Sequence, residues 1–423
     1  MPNSKLSPEV SATGDLFDAQ RTSGRKYETW LVVLVFLTWG AVFLDRMSLL
    51  YLAPLIAPAL HLSHGQVGLL ASSLALAWAF SSLIFGAISD RVGRRPVLIP
   101  AVFAFSILSW LSGIARSFTQ LLLVRTLMGV AEGPTWSTIT ATVEESSAPQ
   151  RRGRNVGIVV SAAALVGHAV APVLTTQIGA RFGWQKAFFA AGIPGIILGI
   201  LLWLYVRERK PDPRLHSRGA SPAEYFSLLR HRNIWLCCLA SAGFMTWLWV
   251  MHAFAPLYIT EVSKNTATFA GLVLGASGLG EFLWGFTLPW LSDLWGRKPV
   301  LLFTALVSAL VPLTYQMPFL VSHPWLMAAA GFVANGGQGM AALVLVLIPT
   351  ESVSPRLAGT AIGLSTLVGE VFGGTLAPSV SGAMADRFGL ATPLWIAASG
   401  AIVVALACLF MRETAPRSRI AQA

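Results

Sequence analysis

The sequence predicts an all-α membrane protein in which twelve transmembrane helices form two pseudo-symmetric six-helix bundles. Three observations predict it. The 423 residues are 55% hydrophobic and only 12% charged, against about 25% charged in a soluble domain. Apolar runs of about 20 residues, the length that crosses a roughly 30 Å hydrocarbon core as a helix, follow one another along nearly the whole chain. A short loop pattern also occurs twice, first from residue 86 and again from residue 289.

In order, the apolar runs lie at about 30–57, 66–89, 96–115, 118–143, 155–178, 185–206, 234–260, 267–291, 298–318, 324–350, 357–384 and 391–411. Residues 1–28 are polar, lack the short apolar stretch of a cleaved leader, and form the expected N-terminal tail. The first bundle is expected over 29–206 and the second over 234–411. A polar linker at 207–233 joins them, and 412–423 form a tail. No loop is long enough to hold a further folded domain.

The net charge of +11 would suit nucleic acid if the basic residues were gathered on one polar domain, but they sort by side of the membrane. With the N-terminus in the cytoplasm, 23 of the 30 Lys and Arg fall on that side: in the tails, at 91–95, 151–154 and 207–232, and at Arg297, Lys298 and Arg356. The other side holds Arg116, Arg181, Lys186, Lys264 and Arg387. This bias predicts a multi-pass protein of the plasma (inner) membrane with both termini cytoplasmic, and it removes nucleic acid as a partner. Cys237, Cys238 and Cys408 sit inside apolar runs without metal-ligand spacing. Phosphate-loop, zinc-protease and nucleophile-elbow patterns do not occur. An enzyme, a metal site and a bound cofactor are therefore not expected.

The repeat is extensive. Gly86-Ala-Ile-Ser-Asp90-Arg91-Val-Gly93-Arg94-Arg95-Pro96-Val97 returns as Pro289-Trp-Leu-Ser-Asp293-Leu-Trp-Gly296-Arg297-Lys298-Pro299-Val300. Pro149, Gly157, Gly167, Pro172 and Arg181-Phe182-Gly183 match Pro355, Gly363, Gly373, Pro378 and Arg387-Phe388-Gly389. Two parallel halves related by an axis along the membrane normal describe a transporter built by duplication.

Charges inside the helices point to its chemistry. Asp45 and Arg46 lie midway along helix 1, where each charge costs roughly 2.5–3.5 kcal/mol. Arg125 and Glu132 lie on helix 4, seven residues apart, which puts them on one face about 10 Å apart along the axis. The four charges sum to zero, and their mutual pairing is expected to offset much of the desolvation. If Asp45 and Glu132 each take a proton, two uncompensated arginines remain and favour an entering anion. That is a physical basis for proton–anion symport driven by a proton gradient.

The loop Gly86-x-x-x-Asp90-Arg91-x-Gly93-Arg94-Arg95, its degenerate partner at 289–298, the twelve helices and the long central loop resemble the major facilitator superfamily. The resemblance covers helices 1 to 12. It implies alternating access, with the halves rocking about a central site. The Asp45-Arg46 pair on helix 1 and the Arg125…Glu132 pair on helix 4 resemble the anion:cation symporter branch, whose members move sugar acids, hexuronates, phthalate-like acids, glutamate and sialic acid. That resemblance implies proton coupling at Asp45 and Glu132 and anion binding at Arg46 and Arg125. The chain departs from the branch at Val143-Glu144-Glu145-Ser146-Ser147-Ala148-Pro149, where an aromatic Trp-Phe-Pro type of segment is expected. The helix 1 pair also resembles that of spinster-like lysolipid carriers. Export of an amphipathic anion, or of a drug or neutral solute with the arginines only tuning the acids, therefore stays open beside the symporter.

In the loop, Asp90 can accept bonds from nearby arginines at the end of helix 2. Asp90, Arg91 and Arg94, with Asp293 and Arg297 in the repeat, are expected to gate the cytoplasmic face. The second half lacks the charge cluster: by the repeat, Asp45 and Arg46 correspond to Leu248 and Trp249, and Glu132 to Asn335. Substrate contacts are expected from Trp247, His252, Asn335 and Gln338, from His168 on helix 5, and from the aromatic walls Tyr51 and Trp78. Helix-to-helix hydrogen bonding is the alternative role for the polar ones. Glu281 and Glu370, each among glycines in an apolar helix, are candidate second protonation sites. Gly271, Gly275, Gly278, Gly280 and Gly285 on helix 8 permit close helix approach. The expected partners are a small organic anion, protons and the bilayer, with the protein a monomer.

Overall fold

The computed structural model describes residues 8–207, 228, 230–354 and 357–415. Twelve long helices follow in order among them: α1 Pro8–Leu60, α2 His64–Val92, α3 Arg95–Ile114, α4 Phe118–Ser146, α5 Pro149–Phe182, α6 Trp184–Tyr205, α7 Arg232–Val262, α8 Ala267–Trp295, α9 Arg297–Thr314, α10 Pro324–Glu351, α11 Ala358–Phe388 and α12 Ala391–Phe410. A short helix, Pro318–Ser322, precedes α10. The described residues hold no strand. Most of the linker at 207–233 and residues 416–423 of the tail lie outside the described residues.

Eleven of these helices are long and apolar enough to cross a membrane. The exception is α4, which carries Arg125, Glu132 and a run of threonines. Its neighbours hold it in place. Gly129 and Gly133 let it lie directly on α2, where an added Cβ would meet Ala77 at 2.9 Å and Ser81 at 2.6 Å. The Ser81 hydroxyl donates to the Val130 carbonyl at 2.5 Å.

Three features depart from the apolar pattern of the sequence. The first helix continues back to Pro8 through the polar tail, because extending a nucleated helix costs far less than starting one. The helix expected to run unbroken over 324–350 is interrupted at Asn335-Gly336. The Asn335 side chain fills that break, its amide oxygen accepting from Gly337 N at 3.2 Å. Finally, π-helical turns occupy Ala163–Val170 in α5, Tyr258–Val262 in α7, Ala342–Leu347 in α10 and Glu370–Leu376 in α11. Such turns are rare and gather at functional sites; here they carry His168 and Glu370.

The repeat is visible in the backbone. Gly93 and Gly296 both take φ of 103° where α2 and α8 end, and each donates its N–H to the carbonyl of a serine four residues back, Ser89 or Ser292. A side chain is strained at that φ, which is why both copies of the loop keep glycine.

The two halves touch on the face away from the basic loops and part toward the basic one. On the touching side, α8 lies on α5: Gly275 packs against Ala169 and Val173, and Gly278 sits against the backbone of His168. There α2 meets α11, with Gly68 against Pro378, Gly382 against His64, and Ser379 donating to Ser72 at 2.7 Å. The His64 N–H and ring reach Asp386 at 2.9 and 3.0 Å, and the ring reaches Glu261 at 3.2 Å. Toward the basic face, a Cβ added at Gly153 or Gly157 of α5, or at Gly359 or Gly363 of α11, would meet nothing within 4 Å.

This contrast is testable. Gly278→Ala places its methyl on the His168 backbone and is expected to destabilise the purified protein by about 1–3 kcal/mol, as overpacking does. Gly157→Ala is expected to change stability by no more than about 1 kcal/mol. Thermal unfolding of both variants in detergent checks this, and equal losses would count against the seam described here.

Candidate functional site

The four helix-borne charges come together between α1 and α4, and all are buried. Asp45, Arg125 and Glu132 are 0% exposed and Arg46 is 4%. Their expected mutual pairing does not occur: among the described residues no ion pair joins any two of them. Both carboxylate oxygens of Asp45 and of Glu132 are without a hydrogen bond, as are Nε and Nη2 of Arg125 and Nη2 of Arg46. Ser109 lies beside Asp45 but donates its proton to the Phe188 carbonyl at 3.0 Å. Arg125 reaches only the Asp45 backbone carbonyl at 3.5 Å and Met128 Sδ at 3.3 Å, with its guanidinium 4.9 Å from the Phe188 ring. Part of the reason is spacing, since seven residues on α4 hold Arg125 and Glu132 apart. The rest is that Arg46 turns toward rings.

The Arg46 guanidinium carbon lies 4.4 Å from the Trp249 ring of α7, 5.2 Å from Trp78 of α2 and 5.9 Å from Phe43 of α1. Aromatic faces attract a desolvated cation by about 2 kcal/mol or more. The aromatic patch continues through Trp39, 5.0 Å from Phe43 and 5.1 Å from Trp136. Trp249 is the residue that the repeat sets in place of Arg46, so the two equivalent positions meet at the junction of the halves. Trp78 was singled out from the sequence, and the structure puts it beside Arg46. Trp136 was noted only as the i+4 neighbour of Glu132; Trp249, Phe43, Trp39 and Phe188 were not singled out, although the repeat alignment named Trp249 and Trp39 and Phe43 stand at i and i+4.

A second buried cluster bridges the halves. His168 Nδ1 of α5 lies 3.0 Å from Glu281 Oε2 of α8. The His168 ring is 4.2 Å from that of His252 on α7, and Tyr51 Oη of α1 is 3.0 Å from His252 Nδ1. Four helices thus contribute to one contact, of which the sequence offered only four separate residues. The donor atoms of His168, His252 and Glu281 lie within 4.8 Å of one another, near enough to reach a common metal ion. No sequence spacing announced this, because the three come from different helices.

Two of the remaining candidates of the second half have hydrogen-bond partners within the protein. Trp247 Nε1 donates to the Ser308 carbonyl at 3.0 Å, and Asn335 Nδ2 donates to Ser277 Oγ at 2.9 Å. The stem of Gln338 packs beside Gly285. Glu370 on α11 is 6% exposed, its Oε2 has no hydrogen bond, and its charge faces Arg46.

Comparison with known proteins accounts for the duplicated architecture. The model of the Major Facilitator Superfamily matches residues 34–369 and 249–423. The chain belongs to the Major Facilitator Superfamily. A hexuronate transporter of Bacillus subtilis (strain 168) is 26% identical over 395 residues, which cover 89% of this chain and 92% of that protein. A 3-(3-hydroxy-phenyl)propionate transporter of Escherichia coli (strain K12) is 28% identical over 379 residues, covering 86% and 89%. A crystal structure of a bacterial homolog of the human lysosomal transporter Spinster shares the fold, with a TM-score of 0.70 and 21% identity over 91% of this chain and 96% of that one. The chain is accordingly a multi-pass membrane transporter, and its relatives are transporters rather than enzymes.

In this transporter of the superfamily, the bonds of the loop charges expected to gate the cytoplasmic face lie, among the described residues, within each half. Arg94 bonds Asp90, Ser89 Oγ at 2.8 Å and Glu145 at 3.1 Å, all within the first half. Arg297 repeats this in the second half, with Asp293 at 2.6 Å, Ser292 Oγ at 2.6 Å and Glu351 at 2.7 Å. Arg91 is exposed. Each arginine ties the loop of its own half to that half's next helix hairpin. Among the described residues no bond joins the two networks. The second network has an added clamp. Glu413 accepts backbone N–H from Arg297 at 2.8 Å and Lys298 at 3.0 Å, at the N-terminus of α9. Burial alone would raise the pKa of Glu413, but these bonds and those from Thr414 and Ala415 hold it below the ordinary carboxylate range.

The Arg297 side chain is 5% exposed against 22% for Arg94. Breaking the more buried network by Arg297→Met is expected to cost about 3 kcal/mol, and Arg94→Met about 1 kcal/mol or less. Denaturant unfolding of the two variants measures the difference, and an equal or reversed order would refute it.

Proposed function

We propose that this chain carries a small organic anion together with protons by alternating access. One observation carries the reading: two guanidiniums and two carboxylates are buried at mid-membrane, and none of the four is bonded to another. A static ion-pair network would not be built this way, because an unpaired buried charge is far costlier than an apolar residue of similar volume. A site that takes charge from outside would be.

Asp45 and Glu132 are the proposed proton carriers. With both protonated, Arg46 and Arg125 leave two positive charges in the low-dielectric interior, and an anion binds them edge-on through charge-assisted hydrogen bonds. When the protons leave, the restored carboxylates compete for the same guanidiniums and the anion is released. Neither ion is favoured alone, which is what couples them. The relatives named for hexuronate and for 3-(3-hydroxy-phenyl)propionate support an anion as the cargo.

The basic face is proposed to be cytoplasmic, in a plasma (inner) membrane, by the distribution of Lys and Arg. The side sealed by His64, Asp386 and Glu261 is then external, and the side on which the halves part is cytoplasmic. Opening the external side requires breaking the His168–Glu281 and Tyr51–His252 contacts. That makes Glu281 a candidate second protonation site, its proton loosening the seam.

Uptake into proteoliposomes with an imposed proton gradient tests the reading, using radiolabelled glucuronate and 3-phenylpropionate. Acid outside should drive accumulation of at least one of them, and Arg46→Ala should abolish it. Glu132→Gln should keep counterflow exchange while losing gradient-driven accumulation. Unchanged accumulation in that variant removes Glu132 from coupling. Extrusion of a cationic dye with no movement of either acid removes the symport reading altogether.

A further inference from the structure

We infer that His168, His252 and Glu281 form a site for a divalent transition-metal ion of the zinc type, which on binding ties the two halves together and arrests transport. The arrest rests on the alternating-access reading above; the site itself does not.

The donor set comes from three helices. His168 lies on α5 of the first half, and His252 and Glu281 lie on α7 and α8 of the second. All three are buried, at 2%, 8% and 1% exposure. One donor atom from each falls within 4.8 Å of the other two. Zinc binds nitrogen and oxygen at about 2.0–2.2 Å in a tetrahedron, which sets neighbouring donors about 3.3 Å apart. His168 Nδ1 and Glu281 Oε2 already stand 3.0 Å apart. Bringing in the donor of His252 takes at most about 1.5 Å of further approach.

The rings can make that approach. Their centroids are 4.2 Å apart and their planes are tilted by 33°. His168 Nε2 has no hydrogen bond, so turning that ring breaks only its bond to Glu281, and an ion held by both residues replaces that bond. The Tyr51 hydroxyl, 3.0 Å from His252 Nδ1, orients the second ring as the outer partner of a ligating histidine does. The chemistry of the set selects the ion. Two imidazoles and one carboxylate suit zinc and its neighbours, whereas calcium and magnesium take oxygen donors. Glu281 supplies negative charge to a cation in a dry interior, and three protein ligands leave the fourth position for water.

The cluster is no part of the duplicated frame. By the repeat, His168, His252 and Glu281 correspond to Gly374, Leu49 and Trp78, so none of the three has a like counterpart. Its place explains the consequence of filling it. Gly278 sets α8 directly on the His168 backbone, and this contact belongs to the side on which the halves touch. Separating the halves there draws His168 away from the other two ligands. An ion bound by all three therefore favours the joined arrangement by its difference in affinity between the two, and the cycle stops in it.

The test is calorimetric titration of zinc into the chelator-stripped, full-length protein in detergent. One ion per chain is expected at micromolar or tighter affinity, with magnesium and calcium unbound at millimolar concentration. His168→Asn, His252→Asn and Glu281→Gln should each weaken binding about ten-fold or more. His64→Asn, which alters the other histidine–carboxylate contact between the halves, should not. Where a cluster variant fails to fold, zinc-edge X-ray absorption of the wild type decides, with two imidazoles bonded to the ion. Binding lost in His64→Asn but kept in the cluster variants, or an ion without two imidazoles, overturns the site. In proteoliposomes, zinc should slow counterflow of glucuronate or 3-phenylpropionate at the concentration that half-fills the site, and EDTA should restore it. Zinc that binds and leaves counterflow unchanged overturns the arrest. If zinc binds as expected while neither acid moves, the site stands and anion transport falls. If an acid moves and no zinc binds, this inference falls alone.

Discussion

A guanidinium in the middle of a membrane needs something to stand in for water, and in this protein that something is aromatic. Arg46 lies against Trp249 from the other half of the molecule and Trp78 from its own, and its hydrogen-bonding edge is left unfilled. Most of what surrounds the site follows from this choice. A carboxylate partner would have neutralised the arginine permanently. Rings hold it in place while leaving its charge to be met by an ion from outside. The acids nearby, Asp45 and Glu132, are buried and likewise unbonded, so the site is built from groups each of which lacks a partner.

The duplication supplies a scaffold that is symmetric where it needs to be rigid. Arg94 with Asp90, Ser89 and Glu145 is matched atom for atom in type by Arg297 with Asp293, Ser292 and Glu351, and the glycines before them share one φ. At the centre the two copies diverge. Where the first half has Asp45-Arg46 the second has Leu248-Trp249, and where the first has His168 the second has Gly374. Each such difference places unlike groups face to face across the junction. The divergence makes the site, and the shared frame holds it.

The seam between the halves is likewise asymmetric along the membrane normal. Glycines on α8 and α2 bring backbones into contact on one face, reinforced by His64–Asp386 and His168–Glu281. Their counterparts toward the basic face, Gly153, Gly157, Gly359 and Gly363, look onto open space. Smooth glycine surfaces that pack at one end and stand free at the other suit two rigid bundles that change their tilt.

Composition and periodicity alone determined the helical membrane fold, because bilayer thickness and the expense of unpaired backbone groups admit little else. The repeat determined the two halves, and the charges at Asp45, Arg46, Arg125 and Glu132 determined where to look, since their expense inside a membrane is a property of single residues. Only the tertiary structure decided what those charges touch. The expected pairing of the four was legible as a sum of charges but depended on distances between helices, and Arg46 found Trp249 instead. The same holds for Tyr51, His168, His252 and Glu281, four residues on four helices whose meeting no spacing encodes. The break at Asn335 and the π turns at His168 and Glu370 stayed hidden too, because an apolar run of the right length reads the same whether its hydrogen bonds step by four residues or by five.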